Sequence, residues 1–253
     1  MRMVLDREYV KLAFASYTEH YDPDDPKIKL KIDHTYRVAD LCERIAATVS
    51  GADTDLAWLA GMLHDIGRFE QVRRYGTFAD AKSVDHAALG ADLLFKEGLM
   101  ESFGDYDERT LDILEKAIRN HNRFRIDDGL SEEYMTYCRI LRDADKIDIL
   151  RVNTETPIEE IYNVTTDELR SSAVSEEVKQ GFRERRAILR SKRLTMADIL
   201  VSHVCLVFEL VYPVSIQIVR EQGYLYQLLA FESYNEDTKA WFEYMRNSPL
   251  FHQ

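Results

Sequence analysis

The sequence predicts an all-α protein. Apolar residues recur at three- and four-residue spacings along nearly every long segment, and no stretch shows the alternation of a half-buried strand. Short runs of turn residues separate these segments. With 253 residues, 45% hydrophobic and 31% charged, the chain is long enough to bury a substantial core.

The first helix is expected over about 6–20, followed by a turn in "YDPDDPK" (21–27). A second helix, about 33–50, carries the stripe Val38, Leu41 and Ile45. After "SGAD" (50–53), Asp53 or Thr54 caps a helix over 53–66 with Leu56, Leu59, Ala60 and Leu63 on one face. "RRYGTFADA" (73–81) reads as a loop, and Ser83 as the cap of a helix over 82–98. Leu111, Leu114 and Ile118 mark a helix over 107–122, and "RIDDG" (125–129) a turn. Ser131, followed by Glu132 and Glu133, opens a helix over 131–152 that ends at "NTETP" (153–157). Further helices are expected at 175–190, 196–220 and 235–246. With no repeat, low-complexity tract or Gly/Ser linker, one domain is the simplest organisation, with the residues beyond about 155 extending or covering it.

The net charge of −12 disfavours wrapping a long nucleic acid, although a local site can still take a small anion. Cys42, Cys138 and Cys205 are odd in number, far apart and without a CxxC pair, which reads as reduced thiols in a cytoplasmic protein. The N-terminal residues carry charges throughout and have no apolar run of signal-peptide length. The most apolar stretch, "ADILVSHVCLVFELVYPVSIQIV" (197–219), is interrupted by Asp198, His203, Glu209 and Pro213. It is therefore expected to be a core helix or a homodimer contact, not a membrane span.

Polar residues at the ends of apolar stripes are the sequence's main functional signal. His34 leads the Val38–Leu41–Ile45 stripe, and His64 with Asp65 follows Leu63. His86 shares a face with Leu89, Gly90, Leu93 and Leu94, where the glycine admits a close neighbour; His121 ends the Ile118 stripe. Asp145 and Asp148 lie with Leu141 and Val152. One histidine on such a face is ordinarily a core residue bonded to a carbonyl. Ionisable groups turned inward from five helices need mutual compensation, which a divalent cation supplies directly.

These residues resemble the ordered H…HD…D pattern of the HD-domain superfamily of metal-dependent phosphohydrolases. The pattern is His34 in "DHTYRV", His64–Asp65 in "LHDIGRF" and Asp145 in "RDADKID". His86 in "SVDHAALGA" and His121 in "IRNHNRF" fall where two-metal members have extra ligands. The resemblance implies an HD-domain-like helical bundle over 30–152, preceded by a helix and turn (1–29) and followed by C-terminal helices (153–253). It implies one or two divalent ions, of Mn, Mg, Co, Fe, Ni or Zn. His34, His64, Asp65 and Asp145 would hold the first, and Asp65 would bridge to a second held by His86 and His121. In "DADK" the pattern points to the aspartate directly before the lysine, Asp145 rather than Asp143. "NRFRIDDG" after His121 departs from the HHE…GYP signature of the cyclic-dinucleotide-cleaving branch, and the sequence shows no synthetase domain like that of the alarmone hydrolases.

The implied activity is hydrolysis of a phosphate ester or anhydride, a nucleotide or other small phosphorylated metabolite, by metal-activated water. Asp65 would both ligate and orient that water, while Lys146 could reach a phosphate or leaving oxygen. Asp148, one turn past Asp145, suits the orientation of a ligand histidine, and Arg37 and Arg68 suit phosphate contacts. Two other functions fit the same ligands: a di-iron oxygenase and a non-catalytic nucleotide-binding sensor.

Overall fold

The computed structural model describes residues 5–157 and 164–249, and these form helices joined by turns, with no strand among them. The chain divides into two compact units, Met1–Asp145 and Lys146–Gln253. The division falls inside a helix that the sequence pattern runs unbroken across it.

The first unit contains α1 (Arg7–Thr18), α2 (Pro26–Ala46), α3 (Thr54–Leu63), α4 (Ile66–Tyr75), α5 (His86–Phe95), α6 (Glu108–Asn120) and the first part of α7 (Glu132–Glu155). Helix α2 begins seven residues before its expected start. Asp25 caps it by accepting from the Lys27 N–H, and Pro26 occupies N1, where its missing N–H is no loss. The stretch read as a turn is thus partly a helix start. Asp53, not Thr54, caps α3, accepting from Asp55 and Leu56 N–H.

The helix expected over 53–66 stops at Leu63, and a separate helix that the sequence reading did not anticipate, α4, begins at Ile66. Two features obscured it: no side-chain cap marks its start, and Gly67 in its first turn reads as a breaker. Gly76, at φ 63°, ends it. Asp85 caps α5 instead of Ser83, so α5 starts at His86.

Two glycines set the helix spacing. A Cβ on Gly61 would stand 2.5 Å from Ala39 Cα, so α2 and α3 meet backbone to backbone. A Cβ on Gly67 would stand 2.5 Å from Gly90 N and closer still to the His86 carbonyl oxygen, so α4 and α5 do the same. The core between these helices includes Val38, Ile45, Leu59, Met62, Ile66, Phe69, Ile113 and Leu141. Helix α1 braces the α3–α4 junction: Phe14 meets Phe69 edge-on at 5.8 Å, and the Tyr17 hydroxyl donates to the Ile66 carbonyl at 3.1 Å.

The second unit holds the rest of α7 with α8 (Thr166–Ser171), α9 (Glu176–Arg183), α10 (Met196–Val204), α11 (Pro213–Gln222), α12 (Tyr224–Leu229) and α13 (Glu236–Arg246). Helices α8 and α12 have six residues each, too few to show a period in sequence. The helix expected over 175–190 ends at Arg183, and Arg185 takes φ 54°. The single helix expected over 196–220 is three pieces: α10, a 3₁₀ turn at Cys205–Glu209, and α11 opening on Pro213. Proline lacks the N–H that would continue the ladder, so the chain restarts there. No helix among the described residues is long and apolar enough to cross a membrane. Asp198 joins α10 to α9, one oxygen accepting from the Thr195 N–H and the other from the Ser175 N–H at 2.7 Å. Phe182 meets Trp241 edge-on and Tyr244 stacks on Trp241 at 4.8 Å. The three cysteines are buried free thiols.

Replacing Gly67 by alanine is expected to destabilise the protein by about 1–3 kcal/mol, because the new methyl meets backbone that cannot turn aside. Urea denaturation reads this directly, and an unchanged midpoint would contradict the α4–α5 contact. A second expectation concerns pH. His203 is driven down to about 3 by burial and by Arg193 and Arg190. Its folded-state value lies below the unfolded value of about 6.5, so the unfolded chain binds more protons between the two. Its contribution is complete above that upper value and is lost as pH falls towards the lower one. Thermal midpoints should fall less steeply over this window in His203→Gln than in wild type.

Candidate metal centre

His64 is the C-cap of α3, and Asp65, at φ −106° and ψ 15°, sits between α3 and α4. Its carboxylate makes no capping bond to α4 and is turned inward, only 2% exposed. In three of the four histidines around it, Nδ1 has a defined partner. His64 Nδ1 lies 2.6 Å from the Gly61 carbonyl oxygen, which can only accept, so Nδ1 carries the proton. His121, the C-cap of α6, repeats the device by donating from Nδ1 to the Ile118 carbonyl at 2.7 Å. His86, the first residue of α5, donates from Nδ1 to Asp80 at 2.9 Å. Burial, aided by Arg68, lowers His86 to about 3, so the ring is neutral.

With Nδ1 engaged in each of these rings, Nε2 is the nitrogen that faces inward. His86 Nε2 and His121 Nε2 face each other at 3.0 Å, and His64 Nε2 lies 3.3 Å from His34 Nε2. In the neutral His86 ring Nε2 is a lone pair, and two such lone pairs at this distance repel unless a cation lies between them. Ligand nitrogens about 2.1 Å from one ion stand about 3.0 Å apart at right angles and about 3.4 Å apart in a tetrahedron. The observed separations match both values.

Asp65 connects the two histidine pairs. Its Oδ2 is 3.4 Å from His64 Nε2 and 3.5 Å from His34 Nε2, whereas its Oδ1 is 3.4 Å from His86 Nε2 and 3.7 Å from His121 Nε2. His34, His64 and Asp65 form one cluster able to hold an ion; Asp65, His86 and His121 form another. Asp145 Oδ1 adds to the first at 3.2 Å from His34 Nε2, and about a fifth of its side chain reaches solvent. The four histidines are buried, none above 4% exposed. Burial acts to raise Asp65, but Lys31 and then His64 outweigh it and hold the carboxyl well below the usual carboxylate range. Asp145 is lowered similarly, burial being outweighed by His34 and His64. The residues suit divalent ions, with imidazole nitrogens and carboxylate oxygens converging from separate helices.

Residues 32–150 match the family model of the HD domain. The chain carries an HD domain. No curated protein matches the chain. Among solved structures, a similar one is the crystal structure of a predicted HD superfamily hydrolase from an uncultured Thermotogales bacterium. It is 29% identical, covers 58% of this chain and 74% of that chain, and has a TM-score of 0.39.

Around the ligand cluster of the HD domain lies a buried polar frame. Arg68 Nη1 donates to Asp80 at 2.8 Å, to Gln71 at 2.7 Å and to the Phe78 carbonyl at 2.8 Å. Gln71 in turn donates to Asp80, to the Ser83 hydroxyl and to the Val84 carbonyl. Burial would raise Asp80, but His86 and Arg68 pull it far below the normal carboxylate range, so it is an anion fixing His86. Arg68, expected from the sequence at a substrate phosphate, is 9% exposed and spends Nη1 on this frame. Arg142 on α7 donates to the Asn120 carbonyl at 2.9 Å and also to the Arg123 carbonyl, securing the chain around His121. Arg37 is partly buried, one turn beyond His34 on α2. Lys146 and Asp148 belong to the second unit, where Lys146 pairs with Glu209 at 2.8 Å and Asp148 is buried.

Sequence reasoning missed Lys31, Asp80, Gln71 and Arg142. Lys31 Nζ lies 2.6 Å from Asp65 Oδ2 and is 7% exposed. Its signal was its place three residues before His34, visible only once α2 is known to begin at Pro26. Asp80 opens a three-residue 3₁₀ turn, too short for any periodicity to flag it.

Asp80→Asn removes the anion shared by His86 and Arg68. Breaking this mostly buried network should cost about 2 kcal/mol or more in the chelator-treated protein, measured by urea unfolding. Wild-type stability would show that Asp80 does not fix the ring.

Proposed function

We propose that this chain is a metal-dependent phosphohydrolase that cleaves a phosphate ester or anhydride of a nucleotide or another small phosphorylated metabolite. The observation that carries the reading is the division of Asp65 between two histidine pairs, with Nε2 of His86 and Nε2 of His121 facing each other at 3.0 Å. His34, His64, Asp65 and Asp145 would hold one ion, and Asp65, His86 and His121 a second. When bound, such ions activate water and offset the charge on phosphoryl oxygens.

The chain's own groups have separate tasks. Asp65 gives one oxygen to each histidine pair, and an oxygen lone pair left over can accept a hydrogen bond from the attacking water and so orient it. Asp80, through Nδ1 of His86, keeps Nε2 of that ring deprotonated and aimed inward. Asp145, partly exposed, is the ligand beside which solvent and substrate arrive. Two carboxylates and neutral histidines leave a doubly loaded centre net positive, which selects an anionic substrate. Lys146 would have to exchange Glu209 for a phosphate oxygen to take part. Arg37 lies close enough to His34 in the chain to serve as a phosphate contact.

The test is phosphate release from a panel of nucleotides and phosphate esters with Mn²⁺, Mg²⁺, Co²⁺ or Fe²⁺. We expect activity that a chelator removes and that Asp65→Asn lowers by about a thousandfold with its helical circular dichroism intact. Iron retained after anaerobic purification, with oxygen-dependent turnover and no phosphate release, would favour the oxygenase reading. Nucleotide binding without turnover of any panel member would favour the sensor.

A further inference from the structure

Lys31 is a buried cation that the ligand pattern leaves unexplained. It stands on α2 one turn before His34, is 7% exposed, and pairs with Asp65 Oδ2 at 2.6 Å. That oxygen is the one facing His34 and His64 at 3.5 and 3.4 Å. An ammonium and a divalent ion cannot both take the oxygen's full charge, because the two cations would repel across a few ångströms of buried space. In the same position the ammonium lies 5.5 Å from the centre of the Phe78 ring, whose face can keep holding it when the carboxylate is given up.

We propose that Lys31 occupies the position of a missing cation: it neutralises Asp65 in the metal-free chain, yields the carboxylate when the ion enters, and then serves as the anion contact of the loaded site. Lys31 is thus a positioning residue for Asp65 before loading and a specificity residue for a phosphate-bearing ligand afterwards. The proposal rests on the metal-centre reading above and adds an exchange of cations at Asp65. Two linked effects follow. Removing the lysine charge should lower the stability of the metal-free protein, since Asp65 is then buried without its partner. It should also strengthen metal binding, since the ion no longer displaces a competitor.

The test measures Mn²⁺ binding by calorimetry on the full chain, then inorganic phosphate binding to the Mn²⁺-loaded protein, for wild type, Lys31→Met and Lys31→Arg. Lys31→Met should bind Mn²⁺ about tenfold or more tighter and phosphate about tenfold or more weaker. Lys31→Arg should restore the phosphate affinity. Lys31→Gln, which keeps a hydrogen bond to Asp65 without the charge, should follow Lys31→Met and replaces it if that variant does not fold. Equal or weaker Mn²⁺ binding in the neutral variants, or unchanged phosphate binding, overturns the role of Lys31 and leaves the phosphohydrolase reading standing. A wild-type protein that binds no Mn²⁺, Mg²⁺, Co²⁺ or Fe²⁺ overturns both.

Discussion

A carboxylate that is 2% exposed stays ionised only beside positive charge, and the arrangement of the first unit follows from meeting that condition at Asp65. The residue lies at the break between α3 and α4, where its side chain points inward rather than capping the next helix. From there one oxygen faces His34 and His64 and the other faces His86 and His121. Lys31 supplies a unit of positive charge directly. The inward-facing ring nitrogens around it stand at spacings that the ligands of a divalent ion take.

Bringing ligands from separate helices to one carboxylate requires backbones closer than side chains ordinarily allow. Gly61 lets α3 approach Ala39 on α2, which carries His34. Gly67 and Gly90 let α4 and α5 meet at the start of the helix that carries His86. The two close approaches flank the HD dipeptide, one on each side in sequence, so the packing of the bundle and the geometry of the centre are a single constraint. Phe14 and Tyr17 of α1 press on the same junction from outside.

The histidines reach the same inward-facing Nε2 by two routes. His64 and His121 use their own helix ends, donating to a carbonyl three residues back, which makes tautomer and ring direction a local property of a helix C-terminus. His86 begins its helix and has no such carbonyl, so the short 3₁₀ turn just before it supplies Asp80, itself held by Arg68 and Gln71. The half of the centre containing His86 therefore depends on tertiary structure more than the half containing His64.

Stripe positions in the sequence already marked His34, His64, His86, His121 and Asp145 as inward-facing, because helical periodicity alone decides which residues share a face. The helical class and the ordered H…HD…D pattern were legible for the same reason. The early end of the expected helix at Leu63 and the separate α4 were not, since a junction without a capping side chain leaves no local signature. Nor was the early start of α2, and with it Lys31 was lost from view. Asp80, Gln71 and Arg142 act across gaps of 6, 9 and 22 residues respectively, through contacts that no periodicity encodes. The sequence by itself determined which groups turn inward. Only the packing of helices against one another decided how far apart those groups lie, and separation is what makes an arrangement of donors a site for a cation.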